Sequence, residues 1–171
     1  MSEILLINRD DIMRMTSLRG TIDLDKLLPH IKTSQDFHLQ PRIGTALLAK
    51  CKQLVADDQL NDEANAAYKT LIEDYIAPTL VFLCMEEVVP FLAYEISNGG
   101  IFKHTPENTT PLDKAELDSL VARFRDRATF YGSRLDDYLI ANSNSFPEFT
   151  VTNNGELPAS GTPSFSGGWV L

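Results

Sequence analysis

Residues 63–98 read EANAAYKTLIEDYIAPTLVFLCMEEVVPFLAYEISN, the longest apolar-rich run in a chain of 171 residues. Ala67, Leu71, Tyr75, Leu80, Leu83 or Cys84, and Val88 recur at steps of three to five, which gathers them near one face of a 3.6-residue period. Both ends are punctuated. Asn61 and Asp62 offer capping oxygens, Glu63 puts negative charge in the first turn, and Asn98-Gly99-Gly100 supplies a left-handed stop. Between Ile76 and Ile96 apolar side chains occupy most of the circumference, which predicts a helix surrounded by other helices. The length also suits a membrane span, but Glu86 and Glu87 sit mid-run, where each charge costs about 2.5–3.5 kcal/mol on insertion scales. The run is therefore read as a core helix. Pro78 and Pro90 each delete a hydrogen bond and crowd the carbonyl four residues back, predicting a kink or break near residue 77.

The flanking segments are helical too. Residues 42–56 carry Ile43, Leu47, Leu48, Cys51, Leu54 and Val55 at helical spacing, and the polar turn DDQLND at 57–62 makes this helix antiparallel to the spine. Upstream, Thr21 caps a helix over about residues 23–38 that places Leu24, Leu27, Leu28 and Ile31 on one face and bends or divides at Pro29. Before it, Asn8 or Asp10 caps a short helix with Ile12, Met13 and Met15 that ends near Gly20. Ser2 to Ile7 fit either a short strand or an arm laid on the body. After the spine, residues 99–110 (GGIFKHTPENTT) read as a surface loop. Thr110-Pro111-Leu112-Asp113 then starts a helix to about Ala141. Its seam of Leu117, Leu120 or Val121, Phe124, Ala128, Tyr131, Leu135 and Tyr138 or Leu139 implies a length of about 45 Å.

Composition changes at Asn142. From there to Leu171 the chain is rich in Ser, Asn, Gly and Pro and nearly uncharged, which predicts an extended arm with no packed core of its own. The expected organisation is a helical domain over 1–141, with a possible N-terminal arm at 1–8, and an interaction arm over 142–171. In that arm Phe146, Phe149, Phe165 and the single tryptophan, Trp169, read as anchors for a partner's groove. FTVT followed by Asn153-Asn154-Gly155 fits a hairpin, or a strand that adds to a partner's sheet edge. The fold expected is all-α: a helical bundle around a long, proline-kinked central helix, with an extended C-terminal arm.

The formal net charge of -9 and the pI of about 4.7 argue against a protein that grips nucleic acid phosphates or an anionic membrane surface. Cys51 and Cys84 lie in apolar helical surroundings without CxxC spacing and read as reduced core thiols. The apolar run in MSEILLINRDD is too short for a signal peptide, so a reducing cytosol is the expected place of synthesis.

Reactive constellations are sparse. Glu86 and Glu87 are candidates for acid–base work, but no His follows a Glu at the i, i+3 spacing of a di-iron bundle. The favoured reading pairs one glutamate with an arginine of the last helix and leaves the other at solvent or a subunit boundary. Arg123, Arg125, Arg127 and Arg134 are splayed around their helix among aspartates, and so read as a salt-bridged face rather than a phosphate stripe. His30, His38 and His104 lack ligand spacing. Nucleophile elbows and nucleotide loops are missing from the sequence, and Gly44 as the turn of a helix-turn-helix reader conflicts with the acidic balance. No enzymatic activity, cofactor or metal is expected.

Three stretches carry a resemblance: IDLDKLLPHIKTSQDFHLQPRIGTALL at 22–48, YKTLIEDYIAPTLVFLCMEEVVPFLAYEISNGGI at 68–101, and ATFYGSRLDDYLIANSNSFPEF at 128–149. Together they resemble small head–tail connector proteins of tailed bacteriophages, in particular phages infecting Bacteroidetes hosts. The resemblance implies a helical adaptor that assembles as a ring, commonly of about twelve copies, beneath the portal protein. Its implied partners are further copies of itself, the portal, the next neck or tail protein, and genomic DNA that passes through the bore without specific binding. The implied location is the virion neck, after assembly in the host cytoplasm, with no membrane involved. Two other classes fit the residues: a soluble cytosolic helical binding module or regulator, and a small helical hydrolase or transferase using Glu86 or Glu87.

Overall fold

Glu63–Leu92 forms one helical run of 30 residues, and the placement of the other elements follows from it. The computed structural model describes residues 3–16, 24–92, 94–97, 100–103, 113–150 and 159. Among these the fold is an all-α bundle: α1 (Arg9–Met15), α2 (Leu24–Thr33), α3 (Gln40–Ile43), α4 (Thr45–Ala56), α5 (Ala66–Thr70), α6 (Ala77–Leu92), α7 (Lys114–Ala141) and α8 (Pro147–Thr150). One small antiparallel hairpin, β1 (Tyr94–Ser97) with β2 (Gly100–Lys103), follows the central run. The central helix is α5 and α6 joined by a π-helical turn at Leu71–Ile76. Residues 77–82 are buried without a break, followed by Cys84, Met85, Val88 and Val89. Consecutive burial on a helix requires neighbours on every side, and α1, α2, the Ser34–Leu39 segment and α7 provide them.

The kink expected near residue 77 takes the form of that π turn. The N–H of Ala77 reaches the Ile72 carbonyl five residues back, and Pro78 comes next. A second π turn at Ser34–Leu39 repeats the arrangement: the N–H of Gln40 reaches the Gln35 carbonyl, and Pro41 follows. Proline has no N–H, and its ring crowds the carbonyl four residues back. Widening the preceding turn shifts those carbonyls off the α register, so the helix continues through the proline. At the central site the buried Thr79 hydroxyl adds a 2.7 Å bond to the Tyr75 carbonyl.

Three sequence expectations need correction. The spine ends at Leu92, not Asn98, and residues 94–97 and 100–103 form the hairpin where a helix end and a loop were expected. Pro90 weakens the helix end, while Asn98-Gly99 is also the strongest short hairpin signal, between segments (YEIS, GIFK) that carry aromatic and β-branched residues. The arm does not begin at Asn142. Ser143–Ser145 form a 3₁₀ turn, α8 follows, and Phe146, Phe149 and Ala159 are buried in the body's own core. Phe146 meets Tyr68 edge-on at 5.3 Å, and the Tyr68 hydroxyl donates to Glu148 over 2.7 Å. Phe146 and Phe149 are therefore core residues and not free anchors. Short 3₁₀ and turn bonds, such as Ser145 N–H to the Asn142 carbonyl at 2.8 Å, satisfy this backbone without any periodic pattern. Phe165 and Trp169 lie outside the described residues, as do His104 and most of the proposed arm.

The N-terminal alternatives resolve to an arm laid on the body. Gln35, fully buried in its π turn, accepts from the Leu6 N–H at 3.0 Å and donates to the Ile4 carbonyl at 3.1 Å. One amide side chain thus mimics a strand partner, and Leu6 and Ile7 sink into the core beside it. Asn8 then caps α1 in a capping box with Asp11.

Gly44 separates α3 from α4 at φ 84°, ψ 156°, a region open essentially to glycine alone. Close by, the Arg42 guanidinium donates to Asp136 at 3.0 Å and lies over Gly132 of α7, where an added Cβ would stand 2.3 Å from an Arg42 nitrogen. Two glycines thus let α3 dock on α7.

Two substitutions check this architecture. Gly44→Ala should cost about 1–3 kcal/mol through backbone strain. Phe146→Ala should cost about 3–5 kcal/mol, the range for a buried aromatic, whereas a free arm residue would leave urea denaturation unchanged.

Candidate functional site

The central helix divides the molecule's surface chemistry into two. Phe82 and Glu86 face α7: Phe82 stacks on Tyr131 at 5.2 Å, and the Arg125 Nε–H donates to Glu86 over 2.7 Å. Glu87 and Phe91 face α2 and the first π turn: His38 Nε2 lies 2.9 Å from Glu87, and the rings of His30 and Phe91 are 4.9 Å apart. At 3.6 residues per turn the mean directions of these two pairs differ by about 140°. Adjacent glutamates therefore serve separate flanks. Pairing one of them with an arginine of the last helix matches expectation, and the other meets a histidine rather than open solvent.

On the α2 flank, Phe37 and Phe91 are 72% and 52% exposed, high values for phenyl rings. Each is held against an imidazole, Phe37 edge-on to His38 at 5.1 Å and Phe91 beside His30. Both imidazoles answer to Glu87, His38 by direct contact and His30 through its field. Partial burial drives the His30 pKa down, and the Glu87 charge opposes that drop without overcoming it. Two exposed phenyl rings thus stand beside His30 and the partly exposed His38–Glu87 pair.

On the α7 flank, Phe130 is 59% exposed. It lies beside a shallow groove whose lining includes Met15, Phe82, Asp126, Arg127 and Tyr131. The arginines are distributed among different tasks. Arg127 lies 5.6 Å over Phe82, and Arg134 covers both Tyr75 and Tyr131 at 5.5 and 5.8 Å. With Arg125 on Glu86, this is a braced face rather than a phosphate stripe.

Among the described residues no cluster of three or more His, Cys, Asp or Glu side chains is placed to hold a metal ion. Burial pushes the Cys51 and Cys84 thiols up to about 12, far from the thiolate that nucleophilic attack needs. Of the residues singled out in the sequence as anchors, Phe146 and Phe149 are internal, and neither joins an exposed patch. No reactive or turn motif in the sequence marks the exposed phenyls Phe37, Phe91 and Phe130. A signal existed for Phe130, which falls off the three-four seam that takes Phe124, Ala128 and Tyr131.

The fold defines a small all-α body with exposed phenyl rings on two of its flanks. Residues 39–158 match the family of unknown function DUF6712, and the chain belongs to that family. The matched span runs from the end of the first π turn through the central helix, the hairpin, α7 and α8, so Phe91 and Phe130 fall inside it and Phe37 just before it. No curated protein and no solved structure matches the chain.

A pH dependence follows from His30. Its pKa is lowered on folding, so the unfolded chain binds the proton more readily, and stability present above the unfolded value near 6.5 is lost as pH falls toward the lowered folded value. Thermal melts from pH 7.5 to 5 should show this decline, and His30→Gln should flatten it.

Proposed function

We propose that the protein is a structural subunit of a phage neck: a head–tail connector that assembles as a ring beneath the portal, joins capsid to tail and leaves a conduit for DNA. The observation that carries this reading is the exposure of phenyl rings on different flanks of one helical body, Phe37 and Phe91 on one and Phe130 on the other. A closed ring needs a heterologous contact, with one face of each copy meeting a different face of the next. The sequence resemblance over 22–48, 68–101 and 128–149 points the same way, since these stretches supply both flanks. The engaged state of Glu86 and Glu87 supports a role without turnover.

The acidity suits the conduit. A wall that carries the charge of -9 per copy repels phosphates and lets DNA slide past without adhering. Phe165 and Trp169, in the segment after the buried Ala159, are the proposed contacts with the portal or the next neck protein. Such a contact, repeated around a ring, gains avidity without high affinity at any one site. No cofactor and no membrane enters this scheme.

Mixing the purified chain with tailless, portal-bearing capsids and sedimenting the particles tests the proposal. The chain should pellet in a fixed ratio to the portal, and a variant ending at residue 159 should keep its helical circular dichroism but stay in the supernatant. A full-length chain that never joins particles would favour the regulator reading. Glu86→Gln and Glu87→Gln should alter stability or assembly, with no reaction to lose.

A further inference from the structure

We propose that the N-terminal arm is a strap coupled to the central helix through the first π turn: with the arm docked, Ser34–Leu39 holds His38 on Glu87 and Phe37 in solvent, and with the arm released that arrangement is lost. The turn is gripped from two directions. Gln35 commits both ends of its amide to the arm, accepting from the Leu6 N–H at 3.0 Å and donating to the Ile4 carbonyl at 3.1 Å. Asp36 shares two lysines with the arm: Lys32 Nζ lies 2.6 Å from both Asp36 and Glu3, and Lys52 Nζ lies 3.7 and 3.8 Å from them. The next two residues serve the central helix and solvent. His38 Nε2 lies 2.9 Å from Glu87, and Phe37 stands edge-on to the His38 ring.

The coupling follows from what Gln35 requires. It is fully buried, and a primary amide stripped of its partners inside a core is heavily penalised. Undocking the arm removes partners from both ends at once, so Gln35 leaves the interior, and a side chain on a tight helical turn reaches solvent by turning the residues beside it. Those residues are Ser34, Asp36, Phe37 and His38. The docked register is not itself fully satisfied: the Ser34 hydroxyl is buried without a hydrogen-bond partner, a cost that the arm's bonds offset. The second π turn makes the contrast. At Leu71–Ile76 the support comes from the same helix, with the Thr79 hydroxyl on the Tyr75 carbonyl, whereas the bonds to Gln35 come from 29 and 31 residues away in sequence. A turn that depends on a distant segment responds to that segment. Linkage is reciprocal, so the His38–Glu87 contact also favours the docked arm. Burial of Leu6 and Ile7 keeps the docked state dominant, and the coupling is read in the small open population. None of this depends on how copies assemble.

Amide hydrogen exchange of the full chain, followed residue by residue by NMR, tests the coupling in both directions. Gln35→Met removes both bonds at similar side-chain volume and should speed exchange of the Leu6 amide and of the amides of residues 37–40 together, by about ten- to hundredfold. His38→Ala should also speed the Leu6 amide, although the contact it removes is with the central helix. Arg125→Ala, which removes the Glu86 pair on the α7 flank, should leave both regions at the wild-type rate. A Gln35→Met chain in which either region keeps the wild-type rate would overturn the proposal. So would an Arg125→Ala chain that accelerates both, since that marks a general loosening of the bundle. If Gln35→Met does not fold, His38→Ala decides by itself, and a Leu6 amide at the wild-type rate in that variant removes the coupling.

Discussion

A helix whose middle turns are buried on nearly every side has little solvent to offer its polar groups there, and that constraint organises this molecule. Several polar groups of the central helix are met from different directions. Thr79 bonds back to its own turn, Glu86 is met by Arg125 of α7, Glu87 by His38 of the first π turn, and Tyr68 by Glu148 of α8. An unmet hydroxyl at buried Thr79 would cost about 1–3 kcal/mol, whereas the partly exposed pairs of Glu86 and Glu87 contribute less and mark which neighbour lies on which side.

Backbone satisfaction imposes a second constraint at the prolines. Pro78 and Pro41 each follow a widened turn that keeps the helical path continuous where an α-helix would break. The first π turn serves a further purpose, because it contains Gln35, whose carbonyl accepts from Gln40 while its side chain clasps the N-terminal arm. One residue thus joins the helix ladder, the proline adjustment and the arm. The arm in turn covers core that α1 and the central helix would otherwise expose, with Leu6 and Ile7 buried in the same cluster as Ile72 and Ala77.

Function in this reading resides in what the bundle leaves outside. Between α7 and the central helix, stacked rings and overlying arginines (Tyr75 on Tyr138 at 3.9 Å, Phe82 on Tyr131, Arg134 above) close one flank into a rigid wall. Such cation–ring contacts contribute about 0.5–1 kcal/mol each at exposed sites, modest beside the core but enough to hold side chains in place. A wall of that kind presents Phe130 without letting it fold inward. On the other flank the His30–Glu87–His38 brace does the same for Phe91 and Phe37. Exposed ion pairs elsewhere, such as Lys32 with Glu3 and Asp36, add little individually and tether the arm to α2.

The all-α class, the central helix, the helix ending at Ala56 and the long helix ending at Ala141 were legible in the sequence. Their apolar residues recur with the helical period, and a period is a local property. The partition of Glu86 and Glu87 to opposite flanks was half legible: one glutamate's arginine was foreseen, the histidine was not. The residues after Asn142 misled, because Ser, Asn and Pro compose both free arms and tight turns, and only docking on Tyr68 and Tyr138 shows that Phe146 is internal. Phe37, Phe91 and Phe130 look like core residues by type. Their exposure was decided by tertiary structure, since whether an apolar side chain is covered depends on segments distant in sequence that pack over it or fail to, and no local pattern encodes that.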